Sequence, residues 1–377
     1  MMMGVPREIH RREYRVGLTP NAVRWFTQRG HAVVVEKDAG LEARFSDTEY
    51  EAAGARVVYS SEEAYKRADV ICRVGTLSPT ELDLVRSGSV ICAFHHLMVA
   101  PRATIDRLME LEVTAIGYEL IQDDRGDRSV LVPLSEMAGE MAVFIAAELL
   151  QCESGGRGIV LGAVPGIPPP TVLILGAGTV GRSAARRAVA VGAQVVVLDE
   201  DLAKLRRLTR ELSGPVVTQL VTHERLEHFT RVADVVIGAV LIPGARAPYL
   251  VTEEMVKRMR AGSVIVDVSI DQGGCVETSR PTTLEDPTFI VHDVVHYCVP
   301  NMTANVARTA SRALSDAVRA PLSHIADEGI TRALREHPGL AAGVYLYRGE
   351  PVHPALAGVL GRPSVPLEEL LDRGEVS

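Results

Sequence analysis

The sequence predicts an α/β protein made of two doubly wound parallel-sheet domains, one inserted into the other. Three observations predict it. Short apolar, β-rich runs alternate with amphipathic helical stretches from the start, the pattern of a parallel sheet covered on both faces. A second and cleaner series of such runs begins after a polar loop, CESGGRG, and a stiff turn, VPGIPPP. Two long helical stretches flank that series, SEMAGEMAVFIAAELLQ before it and TANVARTASRALSDAVRAPLSHIADEG after it. They read as connectors. Residues 1–134 and 303–377 then form one domain and 135–302 the inserted one, with a ligand cleft expected between the two.

In order along the chain, GVPREI reads as a strand. LTPNAVRWFTQRG follows as a helix, with Thr19 as its cap, Pro20 at its first position and Gly30 as its stop. HAVVVEK, ADVICRV, GSVICAF and VTAIGYE are the next strands, separated by helical stretches. The inserted series supplies TVLILGAG, AQVVVLDED, ADVVIGAV, GSVIVDVS and TFIVHDVV as strands.

Composition narrows the function. A chain of 377 residues, 47% of them hydrophobic, can bury two cores. The net charge of -8 disfavours nucleic-acid and anionic-membrane partners, and 4% aromatic residues leave few platforms for stacked bases. No apolar run approaches the ~20 residues of a membrane span. The N-terminus, MMMGVPREIHRREYR, turns charged without the apolar stretch of a signal peptide. Five cysteines in no CxxC pair point to reduced thiols in a cytoplasmic protein, with neither disulfides nor a metal site expected.

TVLILGAGTVGRSAARRAVAVGAQVVVLDED is the most specific signal. A buried strand runs into Gly176, Gly178, Val180 and Gly181, which open a helix, and a second strand ends at Asp199. The glycines permit a tight turn, backbone approach to a pyrophosphate and close helix–strand packing, while the acid suits the ribose hydroxyls. Strand, glycines, helix, strand and acid in this order predict a dinucleotide-binding Rossmann domain. Asp199, Glu200 and Asp201 would repel a 2′-phosphate, so the expected cofactor is NAD.

Polar groups punctuate the apolar strands elsewhere. Arg15 precedes the first helix, His95 and His96 end SVICAF, Ser135 opens VPLSEMAG, Asp271 ends the strand of SVIVDVSIDQGG and Asn301 lies in VHYCVPNM. An arginine fork for a carboxylate, a histidine for a proton and a carboxylate to orient an amine or water are the parts for hydride transfer at a carbon bearing a carboxylate. Each has a plainer reading as well: Arg15 as an ion-pair partner, His96 as a hydrogen-bonded histidine, Asp271 as a turn cap and Ser135 as a helix cap. His95, His292 and His296 read as structural.

GVPREI with REYRVGLTP, SEMAG, GAVLIPGARAP, LVTEEMVKRMRAGSVIVDVSIDQGGCVETSRPTT and VVHYCVPNM together resemble the alanine dehydrogenase family, related to the first domain of the nicotinamide nucleotide transhydrogenase alpha subunit. The resemblance covers nearly the whole chain. It implies the inserted NAD domain, a homohexamer, and reversible NAD-dependent oxidative deamination of L-alanine to pyruvate and ammonia. It also implies roles. Arg15 and Asn301 would bind substrate, and His96 and Asp271 would be catalytic. Ser135, Asp199, Lys204, Val240, Leu241 and Met302 would join the glycine loop around the cofactor. Lys204 taken alone reads as a solvated helix residue.

The match fails where substrate is expected. The family reads like KVKEPLP where this chain reads RVGTLSP. Gly75 takes the place of the substrate-binding lysine and Thr76 that of a glutamate. Phe94 matches a usual tyrosine, His95 a leucine, and NMTANVART departs from NMPGAVPRT. Losing a charge-assisted hydrogen bond weakens binding by roughly 1.5–3 kcal/mol. The expectation is an NAD-dependent amino-acid dehydrogenase or reductive aminase with a substrate other than alanine. The alternatives are L-alanine dehydrogenase and a non-catalytic NAD(H)-binding protein. Arg73 and His95 are the two nearby groups that could compensate for the lysine.

Overall fold

The computed structural model describes residues 1–10, 12–240 and 248–373. The chain divides into two compact units, one of residues 1–134 with 304–377, the other of 135–303. The first unit begins with β1 (Met2–Val5), β2 (Ala32–Glu36), β3 (Arg56–Val58), β4 (Val70–Cys72), β5 (Val90–Ala93) and β6 (Thr114–Gly117). The second unit holds β7 (Thr171–Leu175), β8 (Gln194–Asp199), β9 (Val216–Leu220), β10 (Val235–Gly238), β11 (Val264–Asp267), β12 (Thr288–Val291) and β13 (Val294–Tyr297). The first unit is then completed by β14 (Val344–Tyr347) and β15 (Glu350–Pro351).

The first sheet has the order β15-β14-β6-β5-β4-β1-β2-β3. Its strands β1 to β6 are parallel, while β14 runs antiparallel to β6 and β15 antiparallel to β14. The second sheet has the order β12-β13-β11-β10-β7-β8-β9, parallel except for β12 on its edge. Both are therefore mixed, mostly parallel sheets, with hairpins added at one end. TFIVHDVV, one strand in the sequence reading, folds back on itself at His292 and Asp293. Both residues take left-handed φ values, 52° and 59°, as a two-residue hairpin turn of this hand needs. Arg348 and Gly349 do the same between β14 and β15, with φ of 49° and 80°.

The central strands are apolar because both faces are covered. Ile71, Ile91, Val172, Ile174, Val235 and Ile237 are all fully buried. Helices cover them and start where side chains satisfy the free amides. Ser46 and Ser78 close capping boxes with Glu49 and Glu81; the helix Pro20–Thr27 differs, since Thr19 holds the cap position without a side-chain bond and Pro20 has no amide to satisfy. The helix Val132–Leu149 starts three residues before Ser135, which sits inside its first turn rather than at its cap. The helix Ala307–Glu328 follows the 3-10 turn Met302–Val306. Its Ser311 and Ser315 hydroxyls accept the amides of Val16 and Thr19 at 3.0 and 2.9 Å, which ties it to the loop that carries Arg15.

Strand order reverses between β1 and β4 in the first sheet and between β7 and β10 in the second. Loops leaving such neighbours at their carboxyl ends diverge, and the crevice between them is where open α/β sheets bind ligands. Among the described residues no helix is long and apolar enough to cross a membrane.

Candidate active site

In the first unit the stretch RVGTLSP leaves β4 and turns inward at once. Arg73 is fully buried. Its guanidinium pairs with Glu8 at 2.7 Å and Glu81 at 2.6 Å, and donates to the Tyr65 hydroxyl at 2.5 Å. Glu8 also accepts the Val74 amide at 2.6 Å. Glu81 is aimed by its capping box, accepting from the Ser78 amide at 2.8 Å. Burial pushes the Glu8 carboxyl up, against the pull of Arg73. Burial also penalises charge on Glu81, but Arg73 and the Ser78 amide outweigh it and hold that carboxyl below its ordinary range. Arg73 is thus committed to two internal carboxylates and does not replace the missing lysine.

Gly75 needs to be glycine for no backbone reason. A Cβ built there meets only Glu8 Oε2, at 3.9 Å, an ordinary contact, and its φ is not left-handed. Beside it, His10 Nε2 lies 2.6 Å from the Thr76 carbonyl oxygen, and the Thr76 hydroxyl donates to the His95 carbonyl at 2.8 Å. Arg15 is nearly buried, with the Nε/Nη2 edge of its fork bonded to Glu13 at 2.7 and 2.6 Å. Glu8, His10, Arg12, Glu13, Tyr14 and Arg15 line one cavity of about 420 Å³.

His96 and His95, adjacent in sequence, part company. His95 is fully buried with Nε2 3.1 Å from the Ile91 carbonyl, and burial pushes its pKa down. His96 keeps 40% of its side chain exposed and adopts a left-handed φ of 46°, a conformation that costs a non-glycine residue about 1–3 kcal/mol. Glu119 supports it, accepting the His96 amide at 2.6 Å, with Nδ1 3.9 Å away. Phe94 stacks on the imidazole, centroids 6.3 Å apart, and meets Tyr118 edge-on. Glu8 thus stands beside Gly75 and lines the cavity that Arg15 lines, and Thr76 ties that loop to the end of β5, where Phe94 and His96 lie.

The second unit builds the glycine loop. Gly176 has φ 103°, and a Cβ there would strike the Ala239 carbonyl oxygen at 2.5 Å; at Gly181 it would strike the Gly176 oxygen at 1.9 Å. Gly178 faces open space, with nothing within 4 Å of that position. Asp199 accepts the amides of Ala177 at 2.6 Å and Asp201 at 2.8 Å, so its carboxylate braces the loop and keeps acceptor capacity for a hydroxyl. These residues fit a dinucleotide: a positive-φ turn, an unobstructed helix start and an acid at the next strand end. Val240 follows β10, its amide held by the Ser269 hydroxyl at 2.9 Å.

Asp267, not Asp271, ends β11. It is buried and accepts amides from Ser269, Cys275 and Val276 at 3.0–3.2 Å. Burial raises its pKa despite these bonds. Asp271 lies on the exposed side of the 3-10 turn Val268–Gln272 that Asp267 anchors. Asn301 is half-buried in the turn before Met302, which is packed in the core at 3% exposure. Ser135 is half-buried and Lys204 exposed, and Leu241 lies outside the described residues. The sequence reading missed Glu8, Glu13, Glu119 and Asp267, the carboxylates that hold the named residues in place. The acid two residues before Arg15 and the acids at the ends of β6 and β11 were the available signals.

Residues 4–139 match the family described as "Alanine dehydrogenase/PNT, N-terminal domain", and residues 142–354 match its C-terminal domain. The chain is 41% identical over 363 residues to the alanine dehydrogenase of Mycobacterium tuberculosis, covering 96% of this chain and 98% of that one. The solved structure of an L-alanine dehydrogenase, 41% identical, superposes with a TM-score of 0.90 over 96% of this chain and 99% of the other. A transhydrogenase from Sinorhizobium meliloti, 28% identical, reaches 0.79 over 94% and 100%. With both halves matched and the whole length covered, this chain belongs to the alanine dehydrogenase/PNT family and is an oxidoreductase of the alanine dehydrogenase type.

Proposed function

We propose that the chain is an NAD-dependent dehydrogenase acting on the CH–NH2 group of an L-amino acid, or on the corresponding imine, and that alanine is not its preferred substrate. The balanced reaction is amino acid, NAD and water to 2-oxo acid, ammonium, NADH and a proton, reversible in the aminating direction. Bound NAD supplies the hydride acceptor and NADH the donor. In this reading Arg15 grips the substrate carboxylate, and His96 exchanges a proton at the substrate nitrogen or oxygen. Asp271 orients ammonia, a larger amine or water, while Phe94, Gly75 and Asn301 shape the pocket. Gly176, Gly178, Val180 and Gly181 receive the pyrophosphate and Asp199 the adenine ribose. Ser135, Lys204, Val240, Leu241 and the main chain of Met302 complete the cofactor's surroundings. A cytoplasmic homo-oligomer, hexameric by resemblance, is part of the same reading.

The observation that carries the substrate claim is Gly75. Its ordinary φ and open surroundings give no structural reason for glycine, and a side chain removed there leaves room beside Glu8, a wall of the cavity that Arg15 also lines. A substrate with its own cationic or bulky side chain suits that room. L-alanine dehydrogenase is the second reading, favoured by 41% identity over the whole length. A binding-only protein is the third, and the presence in the chain of Arg15, His96, Asp271 and Asn301 speaks against it, since holding a nucleotide requires neither a carboxylate fork nor a proton carrier.

NADH oxidation with ammonium and a panel of 2-oxo acids tests this. Basic, branched or aromatic oxo acids are expected to outpace pyruvate in kcat/KM, and Gly75→Lys to shift preference toward pyruvate by at least about tenfold, the worth of one charge-assisted bond. Pyruvate turning over fastest would hand the case to the second reading. NADH binding without turnover of any oxo acid would hand it to the third.

A further inference from the structure

At the far end of the helix that follows Met302–Val306, three side chains of the first unit converge at a break between helices. Glu328 is the last residue of the helix Ala307–Glu328, and His324 lies one turn before it on the same face. Gly329, with φ 81°, turns the chain into the helix Ile330–Glu336, whose next residue is His337. His324 Nδ1 lies 3.3 Å from Glu328 Oε1, and His337 Nε2 lies 3.1 Å from the same oxygen. The two imidazoles stack with centroids 3.5 Å apart and planes 24° from parallel. All three ligand atoms lie within 4.8 Å of one another.

We infer that His324, Glu328 and His337 form a divalent transition-metal site, best suited to zinc. Two imidazole nitrogens and one carboxylate oxygen are a recurring zinc donor set, with water as the fourth ligand. With zinc–nitrogen and zinc–oxygen distances near 2.0–2.1 Å, neighbouring donors in a tetrahedron stand about 3.3 Å apart. The separations of 3.1 and 3.3 Å already match that edge. A salt bridge to Glu328 needs one imidazole. Here two imidazoles gather on one carboxylate, His337 Nε2 also lying 3.2 Å from Glu328 Oε2, and a modest opening of the ring stack would turn both nitrogens onto an ion at that carboxylate.

The neighbouring charge does not block the site. Arg332, one turn along, is bonded to Glu336 at 2.7 Å. The side chains of His324, Glu328 and His337 are 37%, 22% and 30% exposed, so an ion has a path in. No cysteine is involved, which is why cysteine spacing gave no hint of it. The i, i+4 histidine–glutamate pair is visible in sequence, but its partner comes after a turn whose course only the fold reveals. Bound metal would clamp the two helices across Gly329, a stabilising role independent of the redox reaction.

Titration of the chelator-stripped, full-length protein with zinc chloride tests the inference by calorimetry and by thermal melting. One equivalent per chain is expected, with a rise in Tm. His324→Ala and His337→Ala should each weaken binding by at least about tenfold, the lower end of what even an outer-shell loss costs a metal site. Cys152→Ser, which removes the exposed thiol as a competing ligand, should leave the equivalent in place. Circular dichroism of the unloaded variants separates lost binding from lost folding, and His337→Gln serves as a milder second variant. No binding by the parent protein, or equal binding by folded histidine variants, overturns the site.

Discussion

Arg73 shows how much of a substrate-like motif is spent on holding the protein together. Its charge is buried between Glu8 and Glu81. Arg73→Met leaves two carboxylates without a counter-ion, and roughly 3–5 kcal/mol of stability should be lost, read from urea unfolding. Adding Glu8→Gln and Glu81→Gln should return part of it, because the uncompensated charge then goes too. His95 makes a different prediction. Burial holds its folded pKa below the ordinary 6.5, so the unfolded chain takes up the proton first as pH falls. Its contribution is whole above about pH 6.5 and disappears as pH drops through the folded value. Between about pH 7 and 5 the parent Tm should therefore fall more steeply than that of His95→Leu, and parallel curves would contradict this account. Arg15 was visible in sequence as an arginine before the first helix, and His96 and Asp271 as polar residues after apolar runs. Their supports were less plain: Glu13 stands two residues from Arg15, but Glu119 is 23 positions from His96 and reaches it only in the fold.

The glycine loop separates two jobs that one motif combines. A methyl group at Gly181 collides with the loop's own carbonyl, whereas one at Gly178 meets no protein atom. Gly181→Ala should cost about 1–3 kcal/mol of stability by overpacking. Gly178→Ala should leave the melting temperature near that of the parent while weakening NADH binding severalfold, measured by fluorescence titration. Equal effects on both quantities would mean that the loop does not receive the pyrophosphate. That strand–loop–helix unit was legible because each residue type answers a local demand. The two hairpins were not. His292-Asp293 and Arg348-Gly349 are poor matches to the usual asparagine–glycine turns, and β12 and β14 carry apolar runs too short to announce a reversal.

The two units are built differently from the chain. Residues 135–303 form an uninterrupted unit, while the other is assembled from both ends of the sequence. The isolated segment 135–303 should therefore fold and bind NADH on its own, checked by circular dichroism and fluorescence. The segment 1–134 should not fold, because β6 needs β14 beside it and the Val16 and Thr19 amides need Ser311 and Ser315. One atom makes the dependence concrete. Glu119 Oε1, which holds the His96 amide, also accepts the Tyr345 hydroxyl at 2.9 Å, across 226 positions of sequence. During translation, the histidine loop emerges well before β14, the strand that completes its support. Until that strand docks, β6 is an open edge of the kind that invites aggregation. On the proposed function, the nucleotide unit is complete before the histidine's last support is made, so competence for chemistry waits on the docking of β14.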